Sequence, residues 1–414
     1  MERVIAIIDL KSFYASCECS ARHLDPFSTP LVCADASRGD GTIVMSVTPY
    51  LKTHYGVPNV CRKKDLPRIK GMIYATPRMS FYLKMSARVV SIFLDFVAKE
   101  DLHVYSVDES FLNLGPYLSL YQKTPEEITK EIQKRIYEEL GLIATVGIGP
   151  NMFLAKLALD NEGKKKAPYL ARWDYQDVPT KLWKIEPITD IWGIGSRTAA
   201  HLGRIGIHSV KQLAHAPLPL LEEEFGIMGN QLRQLANGID DSDIQEEYTP
   251  KEKSISVGQT LMKDYSKAEG ELLVKEICDD LVYRLRKGHM LASKISLFVG
   301  YANGYGGFSK EQSLPIASDD DEEICMAFLS LYKKCVSDYP LRNISLSLGK
   351  LCDPTYEQNS LFLDNETKNE RRSLYRSIDA IKELFGKNSL LRCSSLKSYS
   401  TAKTRHQQIG GHKE

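Results

Sequence analysis

At 414 residues, with 43% hydrophobic and 26% charged side chains and a formal net charge of +1, the chain has the make-up of a globular protein too long for one ordinary core. No apolar run approaches the ~20 residues that span a bilayer, and MERVIAIIDLK interrupts its apolar run at Asp9 and Lys11, unlike a signal peptide. Nine scattered cysteines with no spaced His or Cys partner set read as reduced thiols of a cytoplasmic protein, which argues against a disulfide framework or a zinc site.

The near-neutral charge is segregated along the chain. Residues 31–78 hold eight Lys or Arg against three Asp, and residues 365–414 hold eleven basic against five acidic residues. Such asymmetry suits a protein that offers basic surfaces to an anion.

In chain order, Val4–Asp9 predicts a buried strand with a carboxylate at its C-terminal tip, followed by a helix from about Phe13. Leu31–Ala34 and Thr42–Val47, around the turn signal SRGDG, predict a hairpin. Residues 79–98 have helical spacing. His103–Val107 and Ser110–Leu114 predict two strands with Asp108 and Glu109 between them. Thr124, followed by Pro-Glu-Glu, starts a helix that runs to about Leu140. Ile143–Ile148 then predicts a strand, and Pro150 precedes a helix through Leu159.

Strand, helix, two strands, helix, strand is the pattern of a ferredoxin-like sheet, here with an insertion after the first helix. In such a sheet the tip of the first strand lies beside the turn of the central hairpin, so Asp9 meets Asp108 and Glu109. Three converging carboxylates repel one another unless a cation neutralises them, and hard oxygen ligands suit Mg²⁺. An Asp-Glu pair alone is ordinarily a solvated turn; it is the strand-tip Asp9 that makes the pair a candidate site.

Past residue 170, ITDIWGIGSRTAAHLGRIGI (188–207) matches a helix-hairpin-helix, in which Gly193 and Gly195 let backbone N–H groups approach a phosphate in a sequence-independent contact. The GIG at 147–149 reads as a turn with no phosphate role. Beyond an acidic, Pro250-containing linker, Ile255–Met262, a helix over 267–287, Lys294–Tyr301, a helix over 321–337 and Ile344–Leu348 predict a small α+β unit. The tail from Cys352 has little periodicity except around Leu374–Leu384.

Taken together, IDLKSFYASCE, YSVDESFLNL, TVGIGPNMFLAKLALD, the helix-hairpin-helix and KSISVGQTL resemble, in order from about residue 3 to 350, a Y-family DNA polymerase, and within it the UmuC-type translesion polymerases of bacterial DNA repair. The resemblance implies an α+β multi-domain, right-hand polymerase. Its parts would be a ferredoxin-like palm (1–30 and 79–170), small fingers (31–78), a helix-hairpin-helix thumb (171–240), a linker (241–252), an α+β little finger (253–350) and a C-terminal tail (351–414). It implies error-prone addition of dNTPs to a primer 3′ end across damaged template, with low fidelity and low processivity, as in an SOS response that produces mutagenesis.

The same resemblance assigns residues. Two Mg²⁺ ions would share Asp9 and Asp108, with Glu109 completing the primer-side ion and the Leu10 carbonyl the nucleotide-side ion. Tyr14, beside Phe13, would be the steric gate that excludes a 2′-hydroxyl. Tyr50 and Lys156 would reach the triphosphate. The chain departs from the family pattern after Tyr50, where the basic residue comes one place early, as Lys52. Arg62, Lys63, Lys64 and the run Lys164–Lys166 read as solvated basic faces, and Ser46 and Thr48 as small residues near the nucleotide roof. QNSLF (358–362) resembles a sliding-clamp peptide through Gln358, Leu361 and Phe362. The implied partners are primer-template DNA, dNTP and a sliding clamp, with a recombinase filament or accessory subunits left open, and no membrane. Two rivals are a catalytically silent adaptor for DNA and clamp, which would not need the carboxylate set, and a nucleotide cyclase, which would need neither the helix-hairpin-helix nor the clamp peptide.

Overall fold

The structure, a computed structural model, describes residues 3–246, 249–250, 252–354 and 365–413, with backbone alone at 365–369 and 413. The chain divides into two compact units at residues 247 and 248. No helix among the described residues is long and apolar enough to cross a membrane.

The first unit begins with β1 (Ile5–Leu10), buried along its whole length, and α1 (Phe13–Ser20). An insertion follows: β2 (Leu31–Cys33), β3 (Ile43–Val44), β4 (Ser46–Val47), α2 (Pro49–Tyr55), β5 (Cys61–Arg62) and β6 (Ile73–Ala75). The expected hairpin here is only half formed. Ser46–Val47 pairs back onto Val32–Cys33, but Ile43–Val44 turns away to pair with Cys61–Arg62. The small β2 sheet is completed by β6, which lies parallel to β2.

Next come α3 (Met79–Leu94), β7 (Leu102–Val104), β8 (Glu109–Asn113), the single turn α4 (Leu118–Tyr121), α5 (Pro125–Leu140), β9 (Ala144–Gly149), α6 (Met152–Ala158) and β10 (Leu170–Arg172). Helix α5 starts where the sequence predicts, because Thr124 and Glu127 form a reciprocal capping box, and Gly141 ends it in the left-handed region. The five strands order as β10-β9-β1-β8-β7, and β1 is antiparallel to both neighbours. Its register sets Ile5, Ile7 and Asp9 across from Asn113, Phe111 and Glu109 on one side, and from Gly149, Gly147 and Thr145 on the other.

Because side chains alternate along a strand, these residues share one face of the sheet, and α6 packs on it. Met152, Ala155 and Leu159 meet Ile5, Ile7 and Phe111 there. The glycines of the GIG stretch permit this. A Cβ at Gly147 would lie 2.2 Å from the Ala155 carbonyl oxygen, and one at Gly149 would lie 2.6 Å from the Ala155 nitrogen. The stretch is therefore a docking surface for a helix, where the sequence suggested a turn. After α6 the chain widens into a π-helical turn, Leu159–Gly163, whose last glycine sits against Val146 so closely that a Cβ would approach its carbonyl oxygen to 2.5 Å.

Helices α7 (Ser196–Arg204), α8 (Val210–His215), α9 (Leu218–Phe225) and α10 (Ile227–Ala236) build a second core around Trp173, Leu182, Leu202, Leu213 and Leu232, shared with Phe153 and Leu154 of α6. The first member of the expected helix-hairpin-helix is a 3₁₀ turn, Ile188–Asp190.

The second unit is a four-stranded antiparallel sheet in the order β11-β14-β12-β13, from β11 (Ile255–Tyr265), α11 (Lys267–Lys287), β12 (Leu291–Tyr301), β13 (Gly307–Ser318), α12 (Asp321–Cys335) and β14 (Leu341–Cys352). Strand β13 is absent from the sequence reading; it is a largely exposed edge with a polar sequence, GFSKEQSLPIAS. The tail is not the unstructured basic appendage that its composition suggests. It forms α13 (Asn365–Phe385), α14 (Ala402–His406) and the short pair β15 (Gln408–Ile409) and β16 (His412–Lys413). Four of its arginines pair with acids of α11 and the α12 start: Arg371 with Glu322 at 2.8 Å, Arg372 with Asp319 at 3.2 Å, Arg392 with Asp279 at 2.9 Å and Arg405 with Asp280 at 2.7 Å. In return Arg286 of α11 reaches Asp379 of α13 at 2.7 Å.

The glycine contact is directly testable. Gly147→Ala should destabilise the protein by about 2–3 kcal/mol in chemical denaturation, since backbone must move to accept the methyl group. An exposed glycine such as Gly41, with open space around it, should tolerate the same change.

Candidate active site

Asp9 ends the buried face of β1 and stands across the ladder from Glu109. Asp108 is held at the turn: its backbone carbonyl accepts from the Leu10 N–H at 3.0 Å, and its carboxylate accepts from the Ser106 hydroxyl at 2.8 Å. The same hydroxyl accepts from the Glu109 N–H at 3.0 Å, fixing the turn that presents both acids. Sequence reasoning brought these three acids together, and the strand register does so here.

Two lysines from beyond β9 enter the cluster. Lys156, on α6, donates to Glu109 Oε1 at 2.5 Å with its side chain 9% exposed. Lys164, just past the π-helical turn, bridges Asp9 at 3.0 Å, Glu109 at 3.3 Å and Asp160 at 2.9 Å while remaining 33% exposed. Lys164 is thus no part of a solvated basic face. Lys156 is tied down on Glu109, whereas Lys164 is the cation that also faces outward. Spacing carried a usable signal, since 156, 160 and 164 recur every four residues and alternate in charge.

Burial pushes the Asp9 carboxyl up to about 7, with Glu109 adding to the rise and Lys164 opposing it. Burial also raises Asp108. Glu109 is lowered despite its own burial, because hydrogen bonds with Asp9 and Lys156 favour its charge. Protonation is therefore favoured at Asp9 over Glu109. Among the described residues no group of three acidic, His or Cys side chains stands close enough to enclose an ion as it is. The donor chemistry nevertheless fits a divalent cation: hard, poorly solvated carboxylate oxygens, two of the three acids raised by burial, are what such an ion relieves.

A cationic pole adjoins the acids. Lys11 donates to the Lys164 carbonyl at 2.8 Å and lies over the Tyr169 ring at 4.5 Å. Burial lowers both Lys11 and Lys52; Lys164 repels both and Lys11 repels Lys52, while Asp9 pulls both the other way. The early basic residue Lys52 is thereby brought into the electrostatic field of Asp9. Tyr50, on α2, packs on His54 and Tyr55 at ring separations of 4.7 and 5.9 Å.

Tyr14, on the first turn of α1, is half-buried. Its ring lies 5.5 Å from that of buried Phe13 and 4.8 Å from that of Tyr82, and its hydroxyl is raised by burial and then by nearby Asp108. Ser46 and Thr48 do not line an open roof: both are buried, and the Thr48 hydroxyl donates to the Thr29 carbonyl at 2.8 Å. Gly193, at φ 93°, and Gly195, which precedes α7 without a side-chain cap, are both exposed with open space around them. Gln358, Leu361 and Phe362 lie outside the described residues.

Comparison with known proteins bears on this arrangement. A sequence profile described as the impB/mucB/samB family matches residues 8–160, its C-terminal domain matches 252–361, and the helix-hairpin-helix motif of the same family matches 175–207. The "Putative UV-damage repair protein UvrX" of Bacillus subtilis (strain 168) is 37% identical over 99% of this chain and 97% of its own length. "DNA polymerase IV 2" of the same organism is 31% identical over 99% of each chain. The chain belongs to the impB/mucB/samB family, the Y-family DNA polymerases.

Among solved structures, a "Y-family DNA polymerase chimera Dbh-Dpo4(243-245)-Dbh" superposes with a TM-score of 0.68 over 84% of this chain and 99% of that one; at 19% identity it speaks for the fold. In this Y-family chain, sequence reasoning missed Lys11, Asp160 and Lys164, and it gave no role to Tyr82.

The Asp9 shift has a measurable sign. Its folded-state pKa of about 7 lies above the ordinary value of 3.8, so the stability its proton supplies is complete below about pH 4 and is lost as pH rises through about 7. In chelator, melting temperature should fall across that window, and Asp9→Asn should flatten the decline.

Proposed function

We propose that this chain is a template-directed DNA polymerase of the translesion type, adding dNTPs to a primer 3′ end across damaged template. The observation that carries the reading is the strand register that sets Asp9 against Glu109, with Asp108 on the adjoining turn, directly beside a group of lysines. An acidic pole beside a cationic pole is the electrostatic requirement of phosphoryl transfer from a nucleoside triphosphate. Divalent ions, two Mg²⁺ in this reading, bound by Asp9, Asp108, Glu109 and the Leu10 carbonyl would activate the primer 3′-hydroxyl and neutralise the leaving pyrophosphate.

The protein's own residues do the rest. Lys164 exchanges its carboxylate partners for the triphosphate, together with Lys11 and Lys52, while Lys156 keeps Glu109 charged and in place. Tyr50 contributes from the fingers side. Tyr14 stands beneath the sugar and rejects a 2′-hydroxyl, with Phe13 backing it. The exposed backbone at Gly193 and Gly195 meets duplex phosphates, so binding weakens steeply with salt and depends little on sequence.

Gln358, Leu361 and Phe362 engage a sliding clamp, which compensates for low processivity. The setting is a cytoplasmic, SOS-type damage response of the UmuC kind that produces mutagenesis. A recombinase filament or accessory subunits would act as further partners.

Primer extension with Mg²⁺ on undamaged and lesion-bearing templates tests the core of this. Asp108→Ala should lower incorporation by about a thousandfold or more, and Lys164→Ala should lower kcat/KM for dNTP by about tenfold or more. Full activity in Asp108→Ala would refute the reading. Deleting residues 358–362 should abolish clamp stimulation and spare distributive synthesis; equal loss of both would refute the clamp assignment.

A further inference from the structure

The most deeply buried charge in the first unit is not in the acidic cluster. Glu18, one turn beyond Tyr14 on α1, has a side chain that is 0% exposed. Arg78 grips it with a fork, Nε to Oε1 at 3.0 Å and Nη2 to Oε2 at 2.9 Å, and Arg22 pairs with it from the next turn. The third donor is the Tyr82 hydroxyl, at 2.8 Å from Oε1. Burial pushes the Glu18 carboxyl up, but the hydrogen bonds from Arg78, Arg22 and Tyr82 outweigh it and leave the group below its ordinary value, a charged acceptor.

Tyr82 is fixed from two directions. Its oxygen gives its proton to Glu18 and lies 3.0 Å from the Cys33 sulfur of β2. Burial keeps that thiol protonated, its pKa pushed up to about 12, and since the single Tyr82 proton is given to Glu18, the Tyr82 oxygen is left to accept from Cys33. The Tyr82 ring, 1% exposed, is the surface on which the Tyr14 ring leans at 4.8 Å. A buried carboxylate stripped of one donor is costly, so this relay resists rotation of the ring. It also joins α1, β2 and α3 at one point, linking the insertion to the helix that carries Tyr14.

We infer that Glu18 and Tyr82 are positioning residues for sugar discrimination: the Cys33–Tyr82–Glu18 relay locks the ring that supports Tyr14, and so sets how strictly the site separates deoxyribonucleotides from ribonucleotides. The inference rests on the proposed role of Tyr14 as the gate. Glu18 and Tyr82 touch no reacting atom in this scheme. Their effect passes through the angle and stiffness of Tyr14.

The test is steady-state incorporation of matched dNTP and rNTP by the full-length protein carrying Tyr82→Phe, Glu18→Gln or Tyr14→Ala. Tyr82→Phe removes one oxygen and keeps the ring, so it carries the test even where Glu18→Gln fails to fold. Tyr82→Phe and Glu18→Gln should each lower the dNTP-to-rNTP ratio of kcat/KM by about five- to tenfold. The change should come from faster ribonucleotide use, with dNTP kcat within about twofold of the parent, whereas general loosening would slow both substrates. Tyr14→Ala should lower the ratio further, and adding Tyr82→Phe to it should change nothing more. An unaltered ratio in Tyr82→Phe alongside a collapsed ratio in Tyr14→Ala would overturn the relay and leave the gate standing. An unaltered ratio in Tyr14→Ala would overturn the gate, and the relay with it.

Discussion

A carboxylate at the end of a buried strand, facing another across the ladder, cannot stay charged without nearby positive charge. Asp9 and Glu109 are in that position, and much of the first unit is arranged to supply what they lack. Lys156 comes from α6 and Lys164 from the turn after it. Both depend on α6 lying unusually close to β9, which two glycines allow. The helix in turn is anchored by its N-cap: the Asn151 side chain accepts from the Leu154 N–H at 2.8 Å and donates to the Gly238 carbonyl at 2.8 Å. The electrostatics of the site and the packing of the helical subdomain are therefore set by the same few contacts.

The first strand and helices α5 and α11 were legible in the sequence because each is governed by local rules, and the meeting of Asp9 with the Asp108–Glu109 turn because it follows from the order of the elements. A continuous apolar run marks a buried strand, and the capping boxes at Thr124 and Ser266 mark where helices begin. Strand β13 was illegible because an exposed edge need not alternate, and the split of residues 42–47 between two partners is decided by Cys61–Arg62, remote in the chain. Lys164 was hidden inside a run of three lysines. Only the π-helical turn, forced by Gly163 against Val146, singles it out from its neighbours. The GIG at 147–149 misled for a related reason, since a glycine chosen for a close helix contact looks, in sequence, like one chosen for a turn.

Charge is organised differently in the two units. In the first, acids and lysines at the sheet tip are only partly solvated and mutually compensating, which is the arrangement that the proposed exchange with a divalent ion and a polyphosphate requires. The Glu18 cluster is different in kind: its donors saturate the carboxylate, which leaves no reason for it to exchange partners and makes it a structural fixture. The two sites flank the same short helix, Asp9 just before α1 and Glu18 in its last turn.

In the second unit the C-terminal segment answers a row of aspartates with arginines. Asp279, Asp280 and Asp319 each have an arginine partner from beyond residue 370. Composition alone would credit those arginines to nucleic acid, yet they are already committed. A chain cut short after β14 would do more than shed an appendage, for it would lay bare a strip of like charge on a domain whose family works against a polyanion. The carboxy-terminal end thus serves the protein as an attached counterion, and the surface left for DNA is defined as much by what this segment conceals as by any lysine left exposed.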